Sequence, residues 1–320
     1  MSLKKTCALI SLAMFCFSSA ATAATIVKKD GFTYKIKGDL QIQIRKDVGI
    51  DEDLDVEYDD LELKNYVSYD LNDNIKAFGG LDFGFKNAAD KSNSDEGPHL
   101  EEAYLGMTFN KSYSLIVGKA DSAAYEFGVE GAYETSTSED AFEGFGAEDG
   151  DDLIKVVIEN DNFTVMASHE IAADSEKSDD NGEFTDIFVS AKVAGLEFGA
   201  AYQMFEQGSD DYDIYGVSVA YDAKVVKVAA DYSVAEDIAD VMNLYVGVPV
   251  AETAKIGACI LFTYPDDSTA DEITEWYANA TYKFPAHKNF SVFSEVSGDD
   301  QEKNGEDSEV GFLVGARLKF

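Results

Sequence analysis

The sequence predicts an all-β fold, a closed antiparallel barrel of 16 strands, and three observations carry that reading. Apolar residues recur at every second position through most of the chain, the period of a strand that shows opposite faces to opposite surroundings. The connections alternate in kind. Short ones fall near Leu71, Asn110, Asn160, Ala194, Asp222, Ala251 and Pro285, with generally longer acidic ones between them. Helical patterning is sustained nowhere.

The first strand reads FTYKIKGDLQIQIRK from Phe32, with Tyr34, Ile36, Leu40, Ile42 and Ile44 on one face and Lys35, Lys37, Asp39, Gln41, Gln43 and Arg45 on the other. An acidic connection, Asp47 to Asp60, leads to LELKNYVSYD, the turn LNDN and IKAFGGLDFGFK, where Ala77, Leu81, Phe83 and Phe85 oppose Lys76, Gly80, Asp82 and Gly84. After the connection from Asn87 to Pro98, Ala103–Phe109 and Tyr113–Lys119 flank the tight link NKS as a hairpin. Residues 120–152 follow, carrying Asp121, Glu126, Glu130, Glu134, Glu139, Asp140, Glu143, Glu148, Asp149, Asp151 and Asp152 and neither Lys nor Arg. A connection of that length inside a compact fold is functional or disordered; function is the expectation here.

Beyond it the strand unit repeats as DLIKVVIE, FTVMASHEI, FTDIFVSAKV, LEFGAAYQMF, YDIYGVSVAY, KVVKVAADY, MNLYVGVPV, AKIGACILFTY, ITEWYANATYKF, NFSVFSEV and EVGFLVGARLKF. Sixteen strands leave about 18 residues for each strand and its connection, which suits tilted strands of ~9–11 membrane-spanning residues. An open edge cannot hydrogen-bond to lipid, so the sheet has to close. Short links at one end and long ones at the other are the pattern of a transmembrane barrel. Tyr113, Tyr221, Tyr232, Trp276, Tyr282 and Phe284 stand near strand ends on the apolar face, as an aromatic girdle does.

Residues 1–23 carry Lys4 and Lys5, an apolar run and Ala21-Thr22-Ala23, which read as a secretory leader cleaved before Ala24. Phe15 before Cys16 argues against lipidation. Without the leader Cys259 is the one remaining cysteine, so no disulfide forms within the chain. The formal net charge is −37, and loss of Lys4 and Lys5 makes the mature chain, residues 24–320, more negative still. Nucleic acid and other polyanions are excluded as partners by that field. Seventeen Tyr and 21 Phe separate the chain from acidic disordered proteins.

AYLGM at Ala103–Met107 and SLIVGKADS at Ser114–Ser122 resemble the fourth and fifth strands of Gram-negative general porins. The resemblance implies a 16-stranded trimeric outer-membrane channel for small hydrophilic solutes, with residues 120–152 folded into the lumen as a constriction. It also implies that an acidic loop faces a basic wall. Lys119 stands where the family often has an Arg opening the loop, and Glu126-Phe127-Gly128 resembles the loop tip, with Tyr125 in place of Pro. Phe320, preceded at every second position by Leu318, Ala316, Val314, Phe312 and Val310, resembles the family's outer-membrane assembly signal.

Alternation puts Lys35, Lys37, Arg45, Lys64, Lys76, Arg317 and Lys319 in the lumen; together with Lys119 they form the expected basic wall. The plainer account of each is a solvated lumen charge. Asp121, Glu126, Glu130 and Glu134 are the expected constriction acids, because the first half of the loop must enter the lumen to fold back. Their excess over the facing bases predicts cation selectivity. The plainer account is an external acidic flap.

Asp51, Asp53, Asp55 and Glu62 have the spacing of a calcium loop, but Val56 occupies the position that needs Gly. No cofactor or tightly held metal is expected. Loosely bound Ca2+ or Mg2+ bridging the external acidic loops to lipopolysaccharide is the looser role, and solvated loops are the plainer one. Catalysis finds little support. His99, His169 and His287 are scattered, GVSVA at Gly216 lacks the closing Gly of a nucleophile elbow, and Ser168-His169-Glu170 is an isolated cluster. The other class of function is a non-channel barrel that anchors acidic loops for adhesion or for binding divalent cations and lipopolysaccharide. One dominant long loop after the fifth strand favours the channel.

Overall fold

The computed structural model describes residues 24–85, 98–129, 131–134, 137–171, 183–207, 210–303 and 305–320. The expected leader, most of the connection before Pro98, Glu130 and the connection at 172–182 lie outside these residues.

Sixteen antiparallel strands close into a barrel. They are β1 (Phe32–Lys46), β2 (Leu61–Asn72), β3 (Ile75–Gly84), β4 (His99–Phe109), β5 (Tyr113–Asp121), β6 (Asp149–Glu159), β7 (Phe163–Glu170) and β8 (Glu183–Val193). The second half comprises β9 (Leu196–Gln207), β10 (Asp210–Asp222), β11 (Lys227–Ala235), β12 (Ala239–Ala251), β13 (Ala254–Pro265), β14 (Ile273–Phe284), β15 (His287–Asp299) and β16 (Gly311–Lys319). Each strand pairs with its neighbours in sequence, and β1 meets β16 from Asp39↔Lys319 to Lys46↔Phe312.

Burial follows the alternation. On β1, Leu40, Ile42 and Ile44 are exposed at 41–47%, whereas Asp39, Gln41 and Gln43 are nearly fully buried. Apolar residues therefore face outward and polar ones inward, the reverse of a soluble sheet and the arrangement a lipid surround requires. The short links need a backbone that twists with the strands. Asn110 and Lys111 in the three-residue link between β4 and β5, and Ala194 and Gly195 in the two-residue link between β8 and β9, all have positive φ, as tight hairpin turns demand.

The seam is clasped from both faces. Arg317 donates to both carboxylate oxygens of Asp39 at 2.8 and 2.7 Å, and Lys319 reaches Asp39 at 2.9 Å. Outside, Gly38 and Phe320 exchange main-chain hydrogen bonds of 2.8 and 3.0 Å, and the Phe320 ring covers Gly38 where any Cβ would collide with it.

Several details differ from the sequence expectation. The strand expected from Lys224 starts at Lys227, because Lys224 adopts φ 66° and donates its amide to Asp222 in a turn. Two far-end connections, 208–209 and 236–238, are short, since β9 and β11 run on to their hairpin partners. Residues Ala24–Lys29 add a strand beside β1. Leu54–Glu57, inside the calcium-like spacing, pairs with β1 as a strand, so those carboxylates do not ring a common centre.

Candidate functional site

The segment 122–148 begins at a bulge. Register slips between Gly118 and Ala120, with Gly118 at φ 123°, and Ser122 N–H then bonds Glu148 C=O at 2.7 Å to close the neck. Lys155 on β6 fixes the departure by donating to the carbonyls of Asp121 and Ser122 at 3.0 and 3.1 Å. A short 3-10 turn, Ala124–Glu126, and a one-turn helix, Ala141–Phe145, are the segment's own helical structure. Asp140 caps the latter by accepting from the amides of Phe142 and Glu143.

The segment's main chain is then held by polar side chains of one strand after another. Ala123 N–H donates to Ser168 on β7 at 2.8 Å and Ala124 N–H to Asp186 on β8 at 2.7 Å. Gln203 on β9 accepts from Ala147 N–H and donates to Ala147 C=O. Tyr212 on β10 donates to Phe145 C=O at 2.5 Å, Ser233 on β11 accepts from Ala141 N–H, and Asn243 on β12 donates to Val129 C=O. Farther round, Thr137 donates to Glu275, Tyr277 donates to Glu139, and Asn279 donates to Gly131 C=O, all from β14. On β15, Glu295 accepts from the amides of Tyr133 and Glu134 at 2.8 and 2.9 Å. Glu134 finally meets Gln43 and Arg45 of β1, each at 3.0 Å. Buried polar groups need partners, and the segment's backbone finds them on this arc.

Apolar contacts fill the space between. Phe127 and Phe142 pack with ring centroids 4.9 Å apart and planes tilted by 54°, in a cluster with Phe188, Ile214 and Val241, while Val129 lies with Tyr245, Leu261 and Tyr277. Tyr133 lies flat against Phe293, with centroids 4.0 Å apart and planes 13° from parallel. The arc of partners runs from β6 through β15 to β1, and the wall between its ends is β2, β3 and β4.

Among the sequence-predicted bases, Lys35, Lys37, Arg45, Lys64, Lys76 and Arg317 fall on the buried, polar parity of their strands. Arg45 lies near Glu57 and Glu134 at 3.4 and 3.0 Å, and Arg317 pairs with Asp39 and Asp60. Lys64 meets Asp82 at 2.5 Å and Glu62 at 3.5 Å, and Lys76 is 3.8 Å from Asp70. Lys35 lies over the Tyr66 ring, 5.9 Å from its centre, and Lys37 is opposite Lys64 in register. Lys119 is opposite Ala103, on the parity of Val117 and Leu105, and pairs with Asp149 at 2.8 Å. Of the predicted acids, Asp121 ends β5, Glu126 is half-buried on the 3-10 turn, and Glu134 is ion-paired to Arg45.

Sequence reasoning missed the carboxylates that neutralise these bases, because their partners stand on adjacent strands. It also missed Glu275 and Glu295 as anchors. Their signal was an acid on the inward parity in mid-strand, where a solvated charge has no reason to recur.

A model of the Gram-negative porins matches residues 8–314. The chain belongs to the Gram-negative porins. It is thus an outer-membrane porin, a passive-diffusion channel by family. No curated protein matches the sequence. Among solved structures, a loop L8 deletion mutant of OmpT, an outer membrane protein of Vibrio cholerae, is similar with TM-score 0.73 and 19% identity, covering 91% of this porin and 100% of that chain. The anion-selective porin of Comamonas acidovorans has TM-score 0.72 at 13% identity, with 90% and 100% covered. OmpF of Salmonella typhi, in complex with daunomycin, has TM-score 0.72 at 14% identity, with 92% and 99% covered. These likenesses are of fold, and 16 closed antiparallel strands are what they share with this porin.

Proposed function

We propose that this porin passes small hydrophilic solutes with a preference for cations, that residues 122–148 narrow its lumen, and that it works as a homotrimer. The observation that carries the selectivity is the pairing of the bases. Arg45, Lys64, Lys76, Lys119 and Arg317 each lie beside a carboxylate, so their charge is largely spent locally. Residues 120–152 add 11 acidic groups and no base. The surplus is negative, and a confined low-dielectric wall concentrates that field. Salt limits its reach to ~8 Å at physiological strength, so the preference weakens as salt rises.

The test is the reversal potential across a salt gradient in a planar bilayer. The wild type is expected to favour the cation, and replacing Asp121, Glu126, Glu130 and Glu134 by Asn or Gln is expected to move the potential toward zero. An anion-favouring wild type, or a potential indifferent to the four substitutions, refutes the assignment. Trimerisation is supported by a solved trimer form of the Vibrio cholerae protein; a large species that collapses on heating to a band near the 34.8 kDa of the precursor is the expected gel behaviour.

A further inference from the structure

The wall of β2, β3 and β4 is built as a chequerboard. In register along the inward face, the first rung is Ser68, Phe78 and Gly106, and the next is Tyr66, Gly80 and Tyr104. The third is Lys64, Asp82 and Glu102, and the fourth brings Glu62 opposite Gly84. Rungs two residues apart along a strand are separated by about 7 Å.

The glycines on the lower rungs set the posture of the rings. A Cβ at Gly80 would lie within 2.5–2.8 Å of the Tyr104 ring, and one at Gly106 would collide with the Phe78 ring. Both rings therefore lie down on bare backbone instead of standing out from the wall. Tyr66 and Phe78 are 6.1 Å apart and 24° from parallel, and Phe78 meets Tyr104 edge-on at 6.2 Å. All three are half-buried, so part of each ring remains accessible.

The upper rungs are equally particular. Register slips between Asp82 and Phe83, leaving Glu101 as the extra residue of a bulge. A bulge re-aims a side chain, and here the Glu101 carboxylate folds over Gly84, where a Cβ would collide with it. Carboxylate oxygens of Glu62, Asp82 and Glu101 come within 4.8 Å of one another, and Glu102 is opposite Asp82. Asp82 is 0% exposed; its Oδ1 accepts no hydrogen bond, and its Oδ2 faces Lys64. Four carboxylates thus stand above the rings with Lys64 among them, Lys37 on the β1 side and His99 3.8 Å from Glu101.

Ring faces attract cations through their quadrupole, and carboxylates attract them by charge. Hydrated metal ions keep their water shell and gain little from the rings, and neutral aromatics gain nothing from the acids. We infer that this wall is a binding site for organic ammonium solutes that carry a flat apolar group, the ring lying on Phe78 and Tyr104, next to the Tyr66 ring that Lys35 covers, and the ammonium near Glu62 and Glu101. The inference rests on the channel reading for how solute arrives, but binding is measured without it.

The experiment is calorimetric titration of the folded porin in detergent with benzyltrimethylammonium chloride, with tetramethylammonium and benzyl alcohol as the two half-ligands. Saturable binding tighter than either half-ligand is expected. The double variant Glu62→Gln/Glu101→Gln is expected to weaken it at least about tenfold, and Phe78→Leu several-fold, with heat-modifiable gel migration confirming folded barrels. The loop variant Glu126→Gln/Glu134→Gln is expected to bind as the wild type does, even if its reversal potential changes, which separates this site from the selectivity reading. Absence of saturable binding, equal affinity for benzyl alcohol, or an affinity unmoved in the folded double variant overturns the inference.

Discussion

Glu295 is the group whose removal should most disturb the tip of segment 122–148. Its Oε1 accepts from Glu134 N–H at 2.9 Å, and its Oε2 accepts from Tyr133 N–H at 2.8 Å and Asn279 at 3.0 Å. Hydrogen bonds to a charged acceptor are worth about 1.5–3 kcal/mol each. Glu295→Ala deletes the two that hold the tip, a loss of about 3 kcal/mol at the low end. At 1.4 kcal/mol per tenfold, that multiplies the population of the detached tip by about a hundred. Detachment stays incomplete, because Tyr133 keeps its stack on Phe293 and its 2.6 Å hydrogen bond with Thr281, and Glu134 keeps Arg45. The expected single-channel record is therefore a flickering conductance between two levels, with the larger level rare in the wild type. Glu295→Gln keeps one acceptor oxygen and should fall between the two. A folded Glu295→Ala porin with wild-type noise and a single wild-type level would refute the anchoring role.

Burial lifts the Glu126 carboxyl from its ordinary 4.5 to about 7 against the pull of Lys155, with Asp121 and Glu159 adding repulsion. Cation preference should therefore fall as pH drops through about 7, and in Glu126→Gln the step in the reversal potential should shrink but persist, because burial also lifts Glu148 of the same segment to about 7. The sign for stability is opposite: a raised carboxyl favours the fold below about 4.5 and loses that contribution as pH rises through about 7, so thermal unfolding should shift down over that interval in the wild type more than in the variant. Gly38→Val should collide with the Phe320 ring and lower the temperature at which the folded gel band disappears, while Gly38→Ala should do so less. Deleting Phe320 removes both main-chain bonds to Gly38 and is expected to reduce surface amounts measured by surface labelling, whereas Lys319→Gln should leave them nearly unchanged.

The barrel was legible because a period of two is a local property. On β1 the face assignment could be written down from Tyr34 to Arg45 without knowing any neighbour, and the structure assigns the same faces. The ends of strands were less legible, since Lys224 looks like a strand residue until its positive φ is known. The path of segment 122–148 was not legible at all in its anchors. Tyr133 and Glu295 are 162 positions apart, and nothing in the spacing of either names the other. The charge pattern misled for a related reason: Lys64 read alone is a base in a wall, and only cross-strand register brings Asp82 and Glu62 against it. The bulge at Glu101 breaks the very alternation by which faces are assigned, and the consecutive acids Glu101 and Glu102 were its one visible mark.

The clasp between Asp39 and Arg317 joins residues 278 positions apart. Contacts of such separation are formed late, because the chain between them must first be ordered. Until then the Asp39–Lys46 stretch of β1 and the facing edge of β16 are both bare, and hydrocarbon offers their amides nothing. A partly zipped chain is therefore a poor guest in a bilayer, whatever its strands have already gained from each other. The seam makes insertion a concerted event: the sheet enters lipid as a ring, or waits at the water's edge with its two ends shielded by something else.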